Sequence, residues 1–364
     1  MLNVYFDPGS HRSLNNKIFE EDAKYHGDDF YSVFRYLKKY CLENGINLNT
    51  IDFWTEDKRT EKDIYFCIDH KSFFRRLYWH FRKNQKYPVF GLNKFSKKIL
   101  FQWEPPIIMP DVYARINKVI KEYDKVYFYN KADFTHRKKN LECQDILMPQ
   151  SYNEPIQEYW DNTNRKFLVI LGTNKSAWPF KKILAQIFSG SRFIYLGYKE
   201  LFSERIRVID FFSKKNEIDL YGSGWNRPPF FPYWGYKNSI KKAWRGPVDN
   251  RLKKLSEYNF SIVFENSIFP GWVTERIFDS FYSGNIPVYL GAPNIKDLIP
   301  DNCFIDMRNF KNFEELRKFL KSLSDSDIKN YRKNILNFFK SEKFRPFTKE
   351  YFAETFVKDV KSWK

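Results

Sequence analysis

Residues 260–300 read FSIVFENSIFPGWVTERIFDSFYSGNIPVYLGAPNIKDLIP, and this stretch decides how the C-terminal half of the chain folds. Residues 261–264 form a short, nearly unbroken apolar run, which is typical of a strand covered on both faces in a parallel sheet. After Pro270 and Gly271, apolar residues recur at helical spacing up to Gly284, where a left-handed helix end is expected. Residues 286–290 then return as a second buried strand. The stretch therefore predicts strand, turn, helix and strand.

Polar side chains gather where the first strand of this unit gives way to the helix. Asn266, Thr274, Glu275 and Arg276 all fall at that junction. A strand-helix-strand unit presents its ligands at the carboxyl end of the strand, and the free N–H groups of the first helical turn attract phosphate. Glu275 offers two acceptors to a ribose diol, and Arg276 offers a forked donor to a diphosphate. The alternative is an ordinary helix cap with an intrahelical ion pair.

The same residues form a longer motif, FENS, five residues and VTER, followed by a G-x-x-P-V-x-x-G strand. This string resembles the donor-site motif of the α-1,3-fucosyltransferases, glycosyltransferase family 10. Trp272 stands where the family usually has Tyr, and Arg276 where it has Lys, so an aromatic face and a positive charge are kept. The resemblance implies an α/β protein of the GT-B fold, in which two Rossmann-like domains face a cleft.

Length and composition suit two domains. The chain has 364 residues, of which 43% are apolar and 20% aromatic, enough for two sizeable cores. Residues from 2 onward read as strand, helix, strand and strand, which predicts a first α/β domain, and residues 165–172 open a second. We therefore expect an acceptor-binding domain over 1–155, a nucleotide-sugar donor-binding domain over 165–345 and a C-terminal amphipathic helix over 346–364.

The charge of the chain points to an anionic partner. Formal net charge is +18, which favours a nucleotide sugar, a charged glycan, a membrane surface or a nucleic acid, although a generally Lys-rich solvated surface accounts for part of the excess. The C-terminal helix carries lysines beside its apolar face. It is expected to pack on the first domain, and peripheral contact with an anionic membrane is the alternative.

Cysteine spacing and hydropathy favour a cytoplasmic protein, and the resemblance to family 10, whose animal members carry a membrane anchor, then implies a bacterial-type member. The four cysteines lie far apart and show no zinc-binding spacing, which fits a reduced cytosol. Residues 1–20 contain no apolar core of the kind a signal peptide has. No run in the sequence approaches the roughly 18 apolar residues of a membrane-spanning helix.

Residues 71–86, KSFFRRLYWHFRKNQK, interleave six Lys and Arg with aromatic residues. The favoured interpretation is a helix whose Phe, Leu and Trp face is core while Lys and Arg face water. Two functional interpretations stay open: a surface for single-stranded nucleic acid, and an acceptor cleft where sugars stack. No nucleic-acid-binding motif accompanies the run, so a nucleic-acid partner is not expected. Residues 226–244, rich in Pro and aromatic residues, are either a lid or acceptor wall, or a loop packed on the surface.

A carboxylate stands at the tip of another predicted strand. Residues 99–103 run directly into Glu104, Pro105 and Pro106, and the prolines prevent the ladder from continuing, so the carboxylate is held at the strand end. A plain exposed turn residue is the alternative. Family 10 carries a Phe-Glu-(Ser or Asn)-Pro-like element at this distance before the donor motif, and its Glu is regarded as the general base. The resemblance therefore implies that Glu104 is the catalytic base.

Arg205 and Arg207 begin a predicted helix that leads into a strand ending at Gly222. The block resembles the family's R-x-R helix, from which an Arg reaches the donor phosphates. Arg205 is our first candidate for this role and Arg207 the second. Without the resemblance, two arginines on a helix face are more often solvated.

The resemblance implies a reaction as well as a fold. The donor is then GDP-β-L-fucose, and an inverting transfer gives an α-1,3 linkage to N-acetylglucosamine or a similar sugar on a glycan or glycolipid, for example in protein glycosylation or lipopolysaccharide O-antigen. Positive side chains stabilise the departing GDP, so no obligatory metal or other cofactor is expected. The implied donor-binding residues are Arg205, Arg207, Asn266, Trp272, Thr274, Glu275 and Arg276.

Two other functions remain open at this level. The nearer one keeps the fold but uses a different nucleotide-activated deoxyhexose, because the motif recognises mainly phosphates and ribose. The more remote one is a non-enzymatic basic protein that binds nucleic acid or membrane, for which charge and aromatic content are the only evidence.

Overall fold

The computed structural model of the chain describes residues 2–21, 29, 31–71, 76–77, 80–81, 88, 90–109, 112–113, 115–129, 142–175, 200–227, 229 and 233–363. These residues fall into two compact units: the first holds the described residues up to Ser151 together with Pro346–Lys364, and the second is Tyr152–Arg345. Each unit is built on one parallel sheet flanked by helices. The predicted α/β class is therefore confirmed.

The first unit contains a six-stranded sheet in the order β2-β1-β3-β4-β5-β6, with every neighbouring pair parallel. Its strands are β1 (Leu2–Asp7), β2 (Ile46–Thr50), β3 (Ile64–Ile68), β4 (Lys97–Phe101), β5 (Lys125–Phe128) and β6 (Glu142–Asp145). The α-helices of this unit whose bounds lie within the described residues are α1 (Ser32–Glu43), α2 (Ile116–Val119) and the C-terminal helix described below. Because the chain moves to opposite sides of β1 for β2 and β3, the strand order reverses between β1 and β3.

A buried ion cluster lies at the carboxyl end of β1 and corrects one prediction. Asp7 is fully buried, and both Lys71 Nζ (3.6 Å) and Arg76 Nε (3.9 Å) approach its carboxylate. A buried carboxylate requires a countercharge, so these two cations are drawn inward. The prediction that the basic residues of 71–86 face water is therefore wrong for Lys71 and Arg76, while Phe81, expected in the core, is 74% exposed. Residues 72–75, 78–79 and 82–86 lie outside the described residues.

The C-terminal helix packs on the first unit through its apolar face, as the favoured interpretation predicted. Phe352 and Phe356 of this helix (Lys349–Lys361) lie with ring centroids 5.7 and 4.8 Å from those of Phe101 and Phe66. The helix also contacts α1. Within the part of the chain that the structure describes, no helix combines the length and apolar character needed to cross a membrane.

The second unit contains a five-stranded parallel sheet in the order β11-β10-β9-β7-β8. Its strands are β7 (Lys166–Leu171), β8 (Asp219–Tyr221), β9 (Tyr258–Phe264), β10 (Ile286–Leu290) and β11 (Ile305–Asp306). The α-helices are α3 (Gln157–Trp160), α4 (Phe202–Lys214), α5 (Lys237–Ala243), α6 (Arg251–Ser256), α7 (Glu275–Tyr282), α8 (Ile295–Leu298), α9 (Phe313–Ser322) and α10 (Asp325–Phe339); the C-terminal helix of the first unit is α11.

Short 3₁₀ turns connect these elements. They span His11–Ser13, Lys17–Phe19, Ile51–Phe53, Glu56–Lys58, Leu92–Lys94, Ile120–Glu122, Tyr233–Tyr236, Asp301–Cys303, Met307–Asn309 and Arg345–Phe347.

The strand-turn-helix-strand prediction for 260–300 matches β9, α7 and β10. Gly284 follows α7 with φ 65°, the left-handed conformation that ends many helices and that favours glycine. In the stretch 226–244, Ile240 and Ala243 are buried in the core of the second unit, whereas Trp234 is 63% exposed, so the described residues include both packed and exposed positions. The helix predicted over 178–188 lies outside the described residues.

Candidate active site

The candidate site lies at the carboxyl ends of β7 and β9, where the strand order of the second sheet reverses. From β7 the chain moves to one side for β8 and to the other for β9. Ligands of open parallel sheets bind outside such a reversal. The three residues that follow β9, Glu265, Asn266 and Ser267, are all buried.

Glu265 ties the end of β9 to the beginning of α7. Its carboxylate accepts hydrogen bonds from the Thr274 backbone N–H (2.9 Å), from Thr274 Oγ1 (2.9 and 3.0 Å to its two oxygens) and from Arg276 Nη1 (2.8 Å). Thr274 is also the N-cap of α7, because its hydroxyl accepts from the Arg276 backbone N–H. The Glu265 carboxylate therefore holds both Thr274, the N-cap of α7, and Arg276 in the first turn of α7.

Space for this carboxylate is provided by Gly291, the last residue of the G-x-x-P-V-x-x-G element. A Cβ at that position would stand 2.5 Å from Glu265 Cγ. Burial raises the pKa of Glu265, while the Arg276 guanidinium and the Thr274 hydrogen bonds act in the opposite direction. Arg276 and Thr274 therefore stabilise the charged form of Glu265 against the effect of burial.

Arg205 comes from α4 and is held beside the same strand end. Its Nε donates to the Phe264 carbonyl (2.9 Å), and its Nη2 donates to that carbonyl and to Asn266 Oδ1 (3.2 Å). Among the described residues, these hydrogen bonds go to a carbonyl and an amide oxygen rather than to a carboxylate. Burial, and then the charge of Arg276, lowers the pKa of Arg205 to about 9. An anion bound here would favour the charged form of Arg205.

Glu275, the first residue of α7, is partly accessible, with a side chain 30% exposed. Burial acts to raise its pKa, but the guanidinium charges of Arg276 and Arg251 outweigh burial and lower it. Trp272 is only 2% exposed, so little of its ring is available to a ligand in this structure. Of the predicted residues after β9, Glu275 and Arg276 thus present the more accessible polar groups.

Arg207 does not join the other predicted donor-binding residues. Its Nη1 pairs with Glu204 Oε1 at 2.8 Å, and its side chain is 53% exposed. Residues two apart on a helix do not face the same way, so α4 can direct only one of its two arginines toward β9. The structure gives that position to Arg205, the first candidate.

Two residues of this region were not predicted as site residues. Glu265 is the second residue of the FENS motif, but nothing in its local sequence indicates the contacts with Thr274 and Arg276. Lys175 follows β7, lies with Nζ 5.9 Å from the ring centroid of Phe202 in α4, and contributes to the lowered pKa of Glu275. Its position just after a predicted strand was a signal available in the sequence.

Glu104 belongs to the first unit, three residues after the end of β4, and its side chain is partly buried. In the described part of the chain, no cluster of three or more His, Cys, Asp or Glu residues is arranged to hold a metal ion.

Comparison with known proteins finds similarity to one family in this region. The sequence model of glycosyltransferase family 10 (fucosyltransferase), C-terminal part, matches residues 196–356. The Helicobacter pylori alpha-(1,3)-fucosyltransferase FucT is 42% identical over 86 residues, 23% of this chain and 18% of that protein. The mouse 4-galactosyl-N-acetylglucosaminide 3-alpha-L-fucosyltransferase 9 is 30% identical over 125 residues, 34% of this chain and 30% of that protein. The matched segments thus span less than a third of these relatives.

Solved structures extend the likeness to the fold of the whole chain. A crystal structure of an alpha1,3-fucosyltransferase aligns with a TM-score of 0.54 and 15% identity, covering 99% of this chain and 89% of that one. A crystal structure of a mutant of S. aureus TarM aligns with a TM-score of 0.50 and 13% identity, covering 91% of this chain and 58% of that one. The FENS…VTER motif lies inside the matched residues 196–356, and the resemblance to family 10 that it carries is therefore confirmed.

Proposed function

We propose that this protein is an inverting glycosyltransferase that moves L-fucose from GDP-β-L-fucose to a hydroxyl of an acceptor glycan. The observation that carries the proposal is the buried arrangement of Arg205, Glu265 and Arg276 where the second sheet reverses its strand order, inside a family 10 motif. The names of the matched relatives support fucose as the sugar.

In this proposal the diphosphate of the donor binds at the beginning of α7. Arg205 and Arg276 supply positive charge, and the first-turn N–H groups of the helix add their dipole. Arg205 gains most, because its hydrogen-bond partners described above are neutral oxygens. Asn266 and Glu275 orient the nucleotide, with Glu275 accepting from the ribose hydroxyls. Trp272 and Thr274 shape the wall behind them.

Glu104 acts as the general base in the proposed reaction. It takes the proton of the acceptor hydroxyl as that oxygen forms a bond to the anomeric carbon of fucose. The bond between the anomeric carbon and the β-phosphate oxygen breaks, and GDP leaves with the electron pair of that bond. Arg205, Arg276 and the α7 N-terminus stabilise the negative charge that develops on the leaving phosphate.

The proposed acceptor is N-acetylglucosamine, joined by an α-1,3 linkage. The name of the mouse relative, 4-galactosyl-N-acetylglucosaminide 3-alpha-L-fucosyltransferase 9, supports this choice. A glycolipid acceptor such as lipopolysaccharide O-antigen, a cytoplasmic location and peripheral contact with an anionic membrane belong to the same proposal, and the net charge of +18 favours such contact.

Release of GDP from GDP-fucose, measured with and without N-acetyllactosamine, tests this function. We expect acceptor-dependent release and a fucosylated product. Faster turnover of another nucleotide-activated deoxyhexose would favour the alternative function, a transferase of the same fold that uses that sugar. Such an enzyme retains the phosphate and ribose contacts and changes only the sugar. Absence of turnover with every donor, together with binding to nucleic acid or anionic vesicles, would favour a non-enzymatic protein.

Replacing Arg276 by Ala is expected to weaken GDP binding at least about tenfold, because a forked donor to the diphosphate is lost. Isothermal titration of GDP measures the change. Arg207→Ala is the matched comparison, and we expect a smaller effect from it because Arg207 is exposed and paired with Glu204. Equal GDP affinity of wild type and Arg276→Ala would contradict the phosphate contact.

Removal of divalent metal is expected to leave turnover unchanged within about twofold, since guanidinium groups supply the leaving-group stabilisation that a metal provides in other enzymes. The measurement is the initial rate of fucose transfer in EDTA, compared with the rate after Mg²⁺ or Mn²⁺ is added back. A rate that vanishes in EDTA and returns with the metal would overturn this expectation.

A further inference from the structure

We propose that Asp69 is a positioning residue for the catalytic base, holding the backbone of Glu104 in a fixed place at the end of β4. The inference rests on the proposed function, because it presumes that Glu104 is the base. All of the residues involved belong to the first unit.

Asp69 directly follows β3, which lies beside β4 in the first sheet. Its Oδ1 accepts from the backbone N–H groups of both Trp103 and Glu104, each at 2.8 Å. Its own N–H donates to the Phe101 carbonyl at 2.8 Å, so the two strand ends are joined in both directions. A charged acceptor makes these hydrogen bonds stronger than a neutral one does.

The backbone of Asp69 is left-handed, with φ 56°. Among residues other than glycine, Asp and Asn adopt this conformation most readily. The left-handed backbone favours Asp or Asn, and the two bonds accepted from the N–H groups of Trp103 and Glu104 require an acceptor side chain, so both observations fit Asp at position 69. Gly satisfies the conformation but supplies no acceptor, and this difference makes an informative variant possible.

Neighbouring side chains complete the support of Glu104. Gln102 is fully buried, and its Nε2 donates to Asp69 Oδ1 (2.8 Å) and to the Glu104 carbonyl (3.2 Å). The Tyr113 hydroxyl donates to the same carbonyl at 3.0 Å. The Tyr129 hydroxyl donates to the Trp103 carbonyl at 2.7 Å. Both the N–H and the C=O of Glu104 are thus held from outside its own turn.

Such support affects the rate more than the binding of donor. A general base works only within hydrogen-bond reach of the proton it removes, and a displacement of about 1 Å costs on the order of a hundredfold in rate. Donor affinity depends in the proposal on Arg205, Arg276 and α7 of the second unit. Loosening Glu104 should therefore lower kcat and leave GDP affinity unchanged.

The test compares Asp69→Gly with wild type. We expect kcat to fall about tenfold to a hundredfold, with GDP affinity unchanged and KM for the donor nearly unchanged. Asp69→Asn retains the left-handed conformation and one acceptor oxygen but loses the charge, so we expect an intermediate loss of about threefold to tenfold.

Asp63 provides a matched control at the opposite end of β3. It is fully buried, and its carboxylate accepts from the backbone N–H (3.1 Å) and hydroxyl (2.5 Å) of Thr60. Asp63→Ala and Asp69→Gly are both expected to lower the thermal midpoint, but Asp63→Ala should not lower kcat. A purely structural role of Asp69 predicts the same kinetics for both variants.

Assaying Glu104→Gln in parallel distinguishes a failure of the proposed function, in which Glu104 is the base, from a failure of the positioning role of Asp69. Full turnover of Glu104→Gln would remove the base from the proposed function, whatever Asp69 does. If Glu104→Gln is inactive, two results would overturn the positioning role alone. One is a folded and fully active Asp69→Gly, and the other is an equal loss of kcat in Asp69→Gly and Asp63→Ala. Should Asp69→Gly fail to fold, Asp69→Asn decides, and unchanged kcat in that variant would overturn the role.

Discussion

Glu104→Gln is expected to lower turnover by about two to four orders of magnitude while GDP binding survives. An amide does not accept the acceptor's proton near neutral pH, so the attacking oxygen loses its base. The variant is nearly isosteric, and it leaves in place the backbone N–H and carbonyl of residue 104, which bond to Asp69, Gln102 and Tyr113.

Single-turnover transfer with saturating donor and acceptor measures this effect, and GDP titration checks the donor site separately. Glu56→Gln is a suitable control, because Glu56 is an exposed residue of the same unit that pairs with Lys94. Wild-type turnover in Glu104→Gln would exclude residue 104 as the base. Loss of GDP affinity along with turnover would point instead to a damaged fold.

Glu265→Ala is expected to cost about 3–5 kcal/mol of unfolding free energy, the usual effect of removing one partner from a buried ion pair. Glu265 is fully buried, and its removal leaves Arg276 without its carboxylate and the Thr274 N–H without its acceptor. Arg276 and Arg205 already act on each other as like charges, and the loss of Glu265 would leave that repulsion less compensated.

Urea unfolding of wild type and variant measures the cost. Glu217→Ala is the comparison in the same unit, because Glu217 pairs with Arg317 and Lys321 at the amino end of β8 and retains some solvent contact. Both variants should lose stability, but only Glu265→Ala should also disturb GDP binding. A cost below about 1 kcal/mol, typical of exposed pairs, would show that Glu265 does not hold the site together.

Local patterns in the sequence were enough to predict the frame of the donor site. The apolar run before Glu265, the helical spacing after Pro270 and the glycine at 284 correspond to β9, α7 and its left-handed end. The motif also identified Thr274 and Arg276, which lie together at the beginning of the helix. Each of these features depends on residues close to one another in sequence.

Contacts between distant parts of the chain account for what was missed. The role of Glu265 depends on the space beside Gly291, at the end of the next strand. Asp69 meets its partners 34 and 35 residues later, and no local periodicity indicates such a contact. Lys71 and Arg76 were expected to face water because their own segment is basic and aromatic, but buried Asp7 draws them inward.

The central claim is that the cations at the beginning of α7 bind the diphosphate of a nucleotide sugar. Isothermal titration of GDP, GMP and guanosine against wild type and the double variant Arg205→Ala/Arg276→Ala tests it most directly. We predict that wild type binds GDP more tightly than GMP and GMP more tightly than guanosine, and that the double variant loses most of this difference. Equal binding of the three ligands by wild type, or an unchanged preference in the double variant, would contradict the account.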